Sequence, residues 1–329
     1  MFPKALWMKE WKHASVICFS LLLTFIVAYP VMIGTQMDTW RGMMENDPEM
    51  WQQVQSSYVN MAFGLTFLTV ISVVVIILLA GFLIGLEKNT KRHDFTMALP
   101  FSRASMFITK YLLGLITILV SYSVAFWSGY LVVYQSEFQA VLSELNVSQT
   151  YLSPLLAFFV IYSFGMMIGT ISGEMKSQLV LTFIFLIFPQ GIFMLVYGLF
   201  FAHGVNMDST YGNEFVFRDI FWFSYLDPVQ FDINLIYPLV GGILFTGIGL
   251  FLFTKTQSEY SGEFLMFRHL HPVFAIGIPI CTGLFGGYML SGMVAYNASS
   301  VVMISMYWLG FIIGITFAWL ITRKLLKRA

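Results

Sequence analysis

Charge is what this sequence has least of. Aspartate, glutamate, lysine and arginine make up 10% of its 329 residues, where a soluble domain carries about 25%, so a water-soluble globule is excluded. The 17 basic and 17 acidic residues cancel to a formal net charge of zero. That excludes a nucleic-acid binder working through bulk positive charge, and an acidic disordered chain as well. Cysteine is nearly missing: Cys18 and Cys281 both stand in apolar runs, too few for a disulfide framework or a zinc site. No glycine-rich phosphate loop ending in Gly-Lys-Ser/Thr occurs, so ATP hydrolysis is not expected on this chain. The five histidines, His13, His93, His203, His269 and His271, fall at or beyond the ends of the apolar runs. An ion-coupled carrier keeps ionisable residues mid-membrane, and an intramembrane hydrolase keeps a nucleophile–base pair there. Neither set is present, and no catalytic residue, metal or cofactor is expected.

What the sequence has in abundance is apolar length. A hydrocarbon core of about 30 Å takes roughly 20 apolar residues per helix. Eight stretches reach that length: 14–34, 60–86, 107–134, 153–172, 179–202, 236–254, 273–295 and 301–321. Buried helices of a soluble core would carry a polar stripe at the 3.6-residue period, and 65–85 has none. The fold class is therefore an all-α polytopic membrane protein with about eight transmembrane helices. The apolar run after Lys4, Lys9 and Lys12 is too long for a signal-peptide core and reads as an uncleaved first span.

The charges sort by side. With the N-terminus inside, the inner segments hold 15 basic residues against 6 acidic ones, a net +9. The outer loops hold 2 basic residues against 11 acidic ones, a net −9. Lysine and arginine mark the cytoplasmic side, so both termini are expected there, which requires an even number of spans. Within a single transmembrane domain, 14–322, the longest outer loops are 35–59 and 203–235, and 323–329 is a basic cytoplasmic tail. Glycines four apart, Gly81/Gly85, Gly165/Gly169/Gly173 and Gly310/Gly314, suit close helix packing, chiefly within one chain.

Four segments carry further information. In 1–13, Trp7 and Trp11 share a helical face opposite Lys9 and Lys12, which suits a short interfacial helix touching membrane lipid. In 86–110, five basic residues frame an apolar ridge: Asp94 can cap a short helix placing Phe95, Ala98 and Leu99 on one face, ended by Pro100. Such a ridge is shaped for a groove on a partner, with the membrane surface as the competing place. Pro189 and Gln190 put a kink and an amide into the fifth apolar run, marking a possible translocation path or a helix–helix hydrogen bond. Phe217, Phe221, Trp222 and Tyr225 recur at near-helical spacing in 203–235, as an outer lid or an aromatic belt.

Glu87, the following basic residues, Leu99-Pro100-Phe101-Ser102-Arg103 and Lys110 resemble the pattern between the second and third spans of ABC-2 type permeases, the membrane subunits of bacterial ABC exporters. The eight spans and the segment 257–264 look most like the Ytr-type permeases of Gram-positive bacteria, whereas the usual ABC-2 core has six spans. The resemblance implies that 87–106 is a coupling loop seated on a cytoplasmic ATPase, with Glu87, Asp94, Phe95, Leu99, Pro100 and Arg103 as coupling residues. It implies the interfacial helix again, a second permease subunit in a homo- or heterodimer, ATPase subunits as partners, and the bacterial plasma membrane as location. The implied function is export of a small or amphiphilic substrate driven by ATP. The competing reading is a non-transporting membrane scaffold or sensor of cell-envelope stress.

Overall fold

Apolar runs without internal partners for their backbone must form helices in lipid, and among the described residues all eight runs do so. The computed structural model describes residues 4–89, 100–205, 219–227, 234–256, 262–294 and 299–327. Eleven α-helices are described: α1 (Lys4–Ile26), α2 (Met32–Asn46), α3 (Pro48–Phe63), α4 (Phe67–Ala80), α5 (Leu86–Asn89), α6 (Arg103–Tyr134), α7 (Val147–Ile171), α8 (Met175–Ala202), α9 (Ile236–Lys255), α10 (His271–Gly292) and α11 (Ser300–Lys327). Two π-helical turns, Val27–Val31 and Gly81–Gly85, join α1 to α2 and α4 to α5. Eight helical segments among the described residues are long and apolar enough to cross a membrane, matching the eight runs read from the sequence.

The first two of these segments are longer than a bilayer. Lys4–Asn46 is 43 residues of continuous helix, about 65 Å at 1.5 Å per residue, against a hydrocarbon core of about 30 Å. Residues 35–59, expected as a loop, therefore form a helical hairpin, α2 with α3, projecting beyond the spans. Its turn follows from sequence: the Asp47 carboxylate caps α3 by accepting from the Met50 amide, and Pro48 sits at the first helical position. The hairpin has its own core, in which Trp40, Trp51 and the loop residue Phe138 meet edge to face. Arg41 pairs with Glu137 across it at 2.6 Å. α3 stops at Gly64, and Thr66 opens α4 with a capping box shared with Thr69.

The N-terminal segment also differs from expectation. Residues 4–26 form one uninterrupted helix, so Trp7 and Trp11 lie on the first turns of the spanning helix itself. No helix breaker separates His13 from the apolar run, and Leu6, Glu10, Ala14, Cys18, Leu21 and Phe25 form one buried stripe along it.

Helices α1, α4 and α6–α9 form the main body. α10 and α11 make a separate antiparallel pair that rests mainly on α8. The pair is held by backbone-to-backbone contact: a Cβ on Gly286 or Gly310 would collide with the other's carbonyl, and one on Gly314 with that of Thr282. Gly165 and Gly169 leave room instead for the side chains of Ala80 and Gln178, so these glycines serve contacts inside the chain.

Candidate functional site

The two residues flanking the second and third apolar runs, Glu87 and Lys110, are brought together with two residues of the N-terminal helix. Lys110 Nζ donates to Glu10 Oε2 at 2.7 Å and lies 3.0 Å from Glu87 Oε1. Lys9 Nζ donates to the same Glu87 oxygen at 2.9 Å and lies 3.3 Å from Glu10 Oε1. The quartet is electrically neutral, and three of its members are almost wholly enclosed: Glu10 at 0%, Lys110 at 1% and Glu87 at 5% exposure. Charges withdrawn from water this far persist only when each is paired and hydrogen-bonded, and here each side chain has an opposite charge within 3.0 Å.

The next two residues point elsewhere. The π-helical turn Gly81–Gly85 precedes the short helix Leu86–Asn89 that carries them, and such turns interrupt the regular helical ladder, frequently at functional sites. Lys88, 1% exposed, donates to the carbonyls of Gly169 at 2.7 Å and Ser172 at 2.6 Å. These belong to the C-terminal end of α7, where helix carbonyls lack intrahelical donors and the dipole is negative. Asn89 Oδ1 accepts from the backbone N–H of Met175 at 2.8 Å, satisfying a donor at the N-terminus of α8. On the far side of the segment, Ser102 caps α6 by accepting from the Ser105 amide. Arg103 Nη1 donates to the carbonyls of Thr254 at 3.2 Å and Thr256 at 2.6 Å, at the end of α9.

Between Glu87 and Arg103, then, two short roots bind the ends of six spanning helices. Glu87 reaches α1 and α6, Lys88 reaches α7, Asn89 reaches α8 and Arg103 reaches α9, while the roots themselves close the span that α4 opens and begin α6. The chain between the roots holds Asp94, Phe95 and Leu99, which lie outside the described residues; Pro100 is described and exposed.

The other expected positions are dispersed. Trp7 is half-buried, Trp11 is exposed beside Phe19, and Lys12 is exposed. Pro189 and Gln190 are both half-buried within α8, which continues as α-helix through the proline. The buried amide of α8 is instead Gln178, whose Nε2 donates to the Gly165 carbonyl at 3.0 Å. Phe217 lies outside the described residues. Phe221 is half-buried, while Trp222 and Tyr225 are buried against α7 and α9: the Tyr225 carbonyl accepts from Ser153 Oγ at 2.7 Å, and Trp222 meets Phe245 edge-on. Glu10, Lys88, Asn89 and Gln178 are absent from the sequence-based set of site residues.

Comparison with known proteins bears on what this arrangement belongs to. Over 315 residues, 90% of this chain and 92% of its relative, the sequence is 27% identical to the probable ABC transporter permease YtrC of Bacillus subtilis (strain 168). Over 296 residues, 85% and 86% of the two chains, it is 25% identical to the probable ABC transporter permease YtrD of the same organism. This chain is a relative of the Ytr permeases. The likeness takes in most of the length of both chains in each comparison. No protein-family model and no solved structure matches. Relationship to these permeases and eight membrane-length helices together describe a multi-pass protein of the plasma membrane.

Proposed function

We propose that the chain is the membrane subunit of an ATP-driven exporter of the ABC-2 type, and that residues 87–106 receive the motion of a separate cytoplasmic ATPase. The observation supporting this most strongly is the gathering of six helix ends onto the two roots of that segment. A displacement of the segment then acts on α1, α6, α7 and α9 through charge-assisted hydrogen bonds, on α8 through the Asn89 side chain and on α4 through the continuous chain. Nucleotide binding and release by the partner biases two arrangements of the bundle, giving inward and outward access. The basic end, carrying Lys9, Lys88, Arg103 and Lys110, faces the cytoplasm in this reading. The chain itself performs no hydrolysis. A second permease subunit completes the translocation path, and the apolar helix faces suit a small or amphiphilic substrate.

The test is co-expression with candidate ATPase subunits and measurement of their recruitment to membranes. Substituting Phe95→Asp together with Leu99→Asp places two charges on the apolar ridge while leaving both roots intact. Recruitment should fall at least tenfold. Unchanged recruitment by a correctly inserted variant would remove the docking assignment.

A further inference from the structure

The pair α10–α11 touches the six-helix body mainly along α8, yet its leading strand is joined to the same knot as the coupling segment. After α9, residues 262–266 run antiparallel to the short α7–α8 turn and make an isolated β-bridge between Ser172 and Leu265. The Gly262 amide donates to the Gly173 carbonyl, and the Met266 amide donates to the Ile171 carbonyl, both at 2.8 Å. The carbonyl between them, that of Ser172, accepts from Lys88 Nζ at 2.6 Å. Three successive carbonyls of one turn are thus divided between the root of the coupling segment and the strand that leads into α10. Leu265 and Met266 are buried at this junction, so the strand is packed as well as hydrogen-bonded.

A helix end can be capped by an exposed side chain or by water at little expense. Enclosing a lysine completely, with helix carbonyls rather than a carboxylate as its partners among the described residues, is a costly way to achieve the same satisfaction. It makes physical sense where the carbonyls must follow the lysine. We infer that Lys88 is a positioning residue that ties the last helix pair to the coupling segment through the α7–α8 turn, so that α10 and α11 move with the ATPase cycle. The inference rests on the reading of 87–106 as the coupling segment.

The experiment uses the full-length chain assembled with its co-expressed ATPase subunits in lipid nanodiscs, with Cys18 and Cys281 changed to alanine. Spin labels go on exposed lipid-facing positions: Met8→Cys with Val273→Cys reports on α10, and Met8→Cys with Ile248→Cys reports on α9. Distances are measured without nucleotide and after trapping with ATP and vanadate. Both pairs should shift on trapping. Lys88→Met should abolish the shift of the α10 pair while the α9 pair, held through Arg103, retains it, and Lys88→Arg should restore the α10 response. Met266→Pro, which removes the amide donor on the other side of the turn, should reproduce the loss with Lys88 in place. An α10 response that persists in both Lys88→Met and Met266→Pro overturns the inference, as does an α9 shift without any α10 shift in the unsubstituted complex. Failure of the unsubstituted chain to recruit any ATPase would instead remove the coupling reading, and the inference with it.

Discussion

At the scale of single residues, the protein places its ionisable groups where each is answered by another. Removing Lys110 leaves Glu10 and Glu87 enclosed, with the partly exposed Lys9 as their remaining counter-charge among the described residues. Breaking a buried pair from one side costs about 3–5 kcal/mol, so Lys110→Met should lower thermal stability strongly. Lys9→Met removes a cation whose side chain is 38% exposed, where water can take its place beside Glu87, so it should cost less than Lys110→Met. Thermal unfolding in detergent with both single variants checks the order, and equal losses would contradict the geometry. Three of the four members of this quartet were legible in the sequence. Glu87 and Lys9 belong to segments whose composition singled them out, and Lys110 lies in the motif that carried the resemblance. Glu10 was passed over, although it stands on the stripe Leu6, Ala14, Cys18, Leu21, Phe25. A carboxylate on an apolar stripe at helical spacing is the signal that could have found it. Lys88 and Asn89 left no such trace. Their partners are backbone groups about 80 residues away, and backbone groups carry no sequence signature.

At the scale of elements, hydropathy located every span but misjudged what lies between the first two. Residues 35–59 are polar enough to fall out of a hydropathy window, and so read as a loop. Their apolar positions nevertheless recur at helical spacing: Ile33, Met37 and Trp40 are buried on α2, and Trp51, Val59 and Phe63 on α3. That period marks an amphipathic hairpin whose polar faces meet water, a pattern belonging to soluble helices rather than to spans. Since Trp51 is nearly enclosed between Trp40, Tyr58 and Phe138, Trp51→Ala should destabilise the hairpin by about 3–5 kcal/mol. Hydrogen exchange should then accelerate across α2 and α3 while the amides of α7 keep their protection. Acceleration throughout the bundle would mean that the hairpin is not a separate cooperative unit. The N-terminal segment failed as a separate element for the opposite reason. Its tryptophans and lysines have the composition of an interfacial helix, but tertiary pairing of Glu10 with α6 draws the whole segment into the first span's axis.

At the scale of the whole molecule, the two ends differ in what holds them. One end carries the buried quartet, Lys88, Asn89 and Arg103, knitting helix termini together. The opposite end carries the projecting hairpin, with Arg41 and Glu137 paired at its surface. The sorting of charge into a basic and an acidic side foreshadowed this division, but not that the basic side uses its cations as caps on helix ends. Composition reports how many charges a side has, and only the folded arrangement reports which carbonyls they meet. In the proposed function the segment between the two roots lies in the cytoplasm and seats against an ATPase. The most direct measurement places a single cysteine at Leu99→Cys, with Cys18 and Cys281 changed to alanine, and a control at Asp47→Cys on the tip of the hairpin. Both are treated in cells with a membrane-impermeant thiol reagent, and in membranes containing the co-expressed ATPase with a short bifunctional cross-linker. Position 99 should be shielded from the external reagent and cross-link to the ATPase, while position 47 should be labelled from outside and should not cross-link. Labelling of position 99 from outside the cell, or cross-linking of position 47 to the ATPase, would contradict the proposed function.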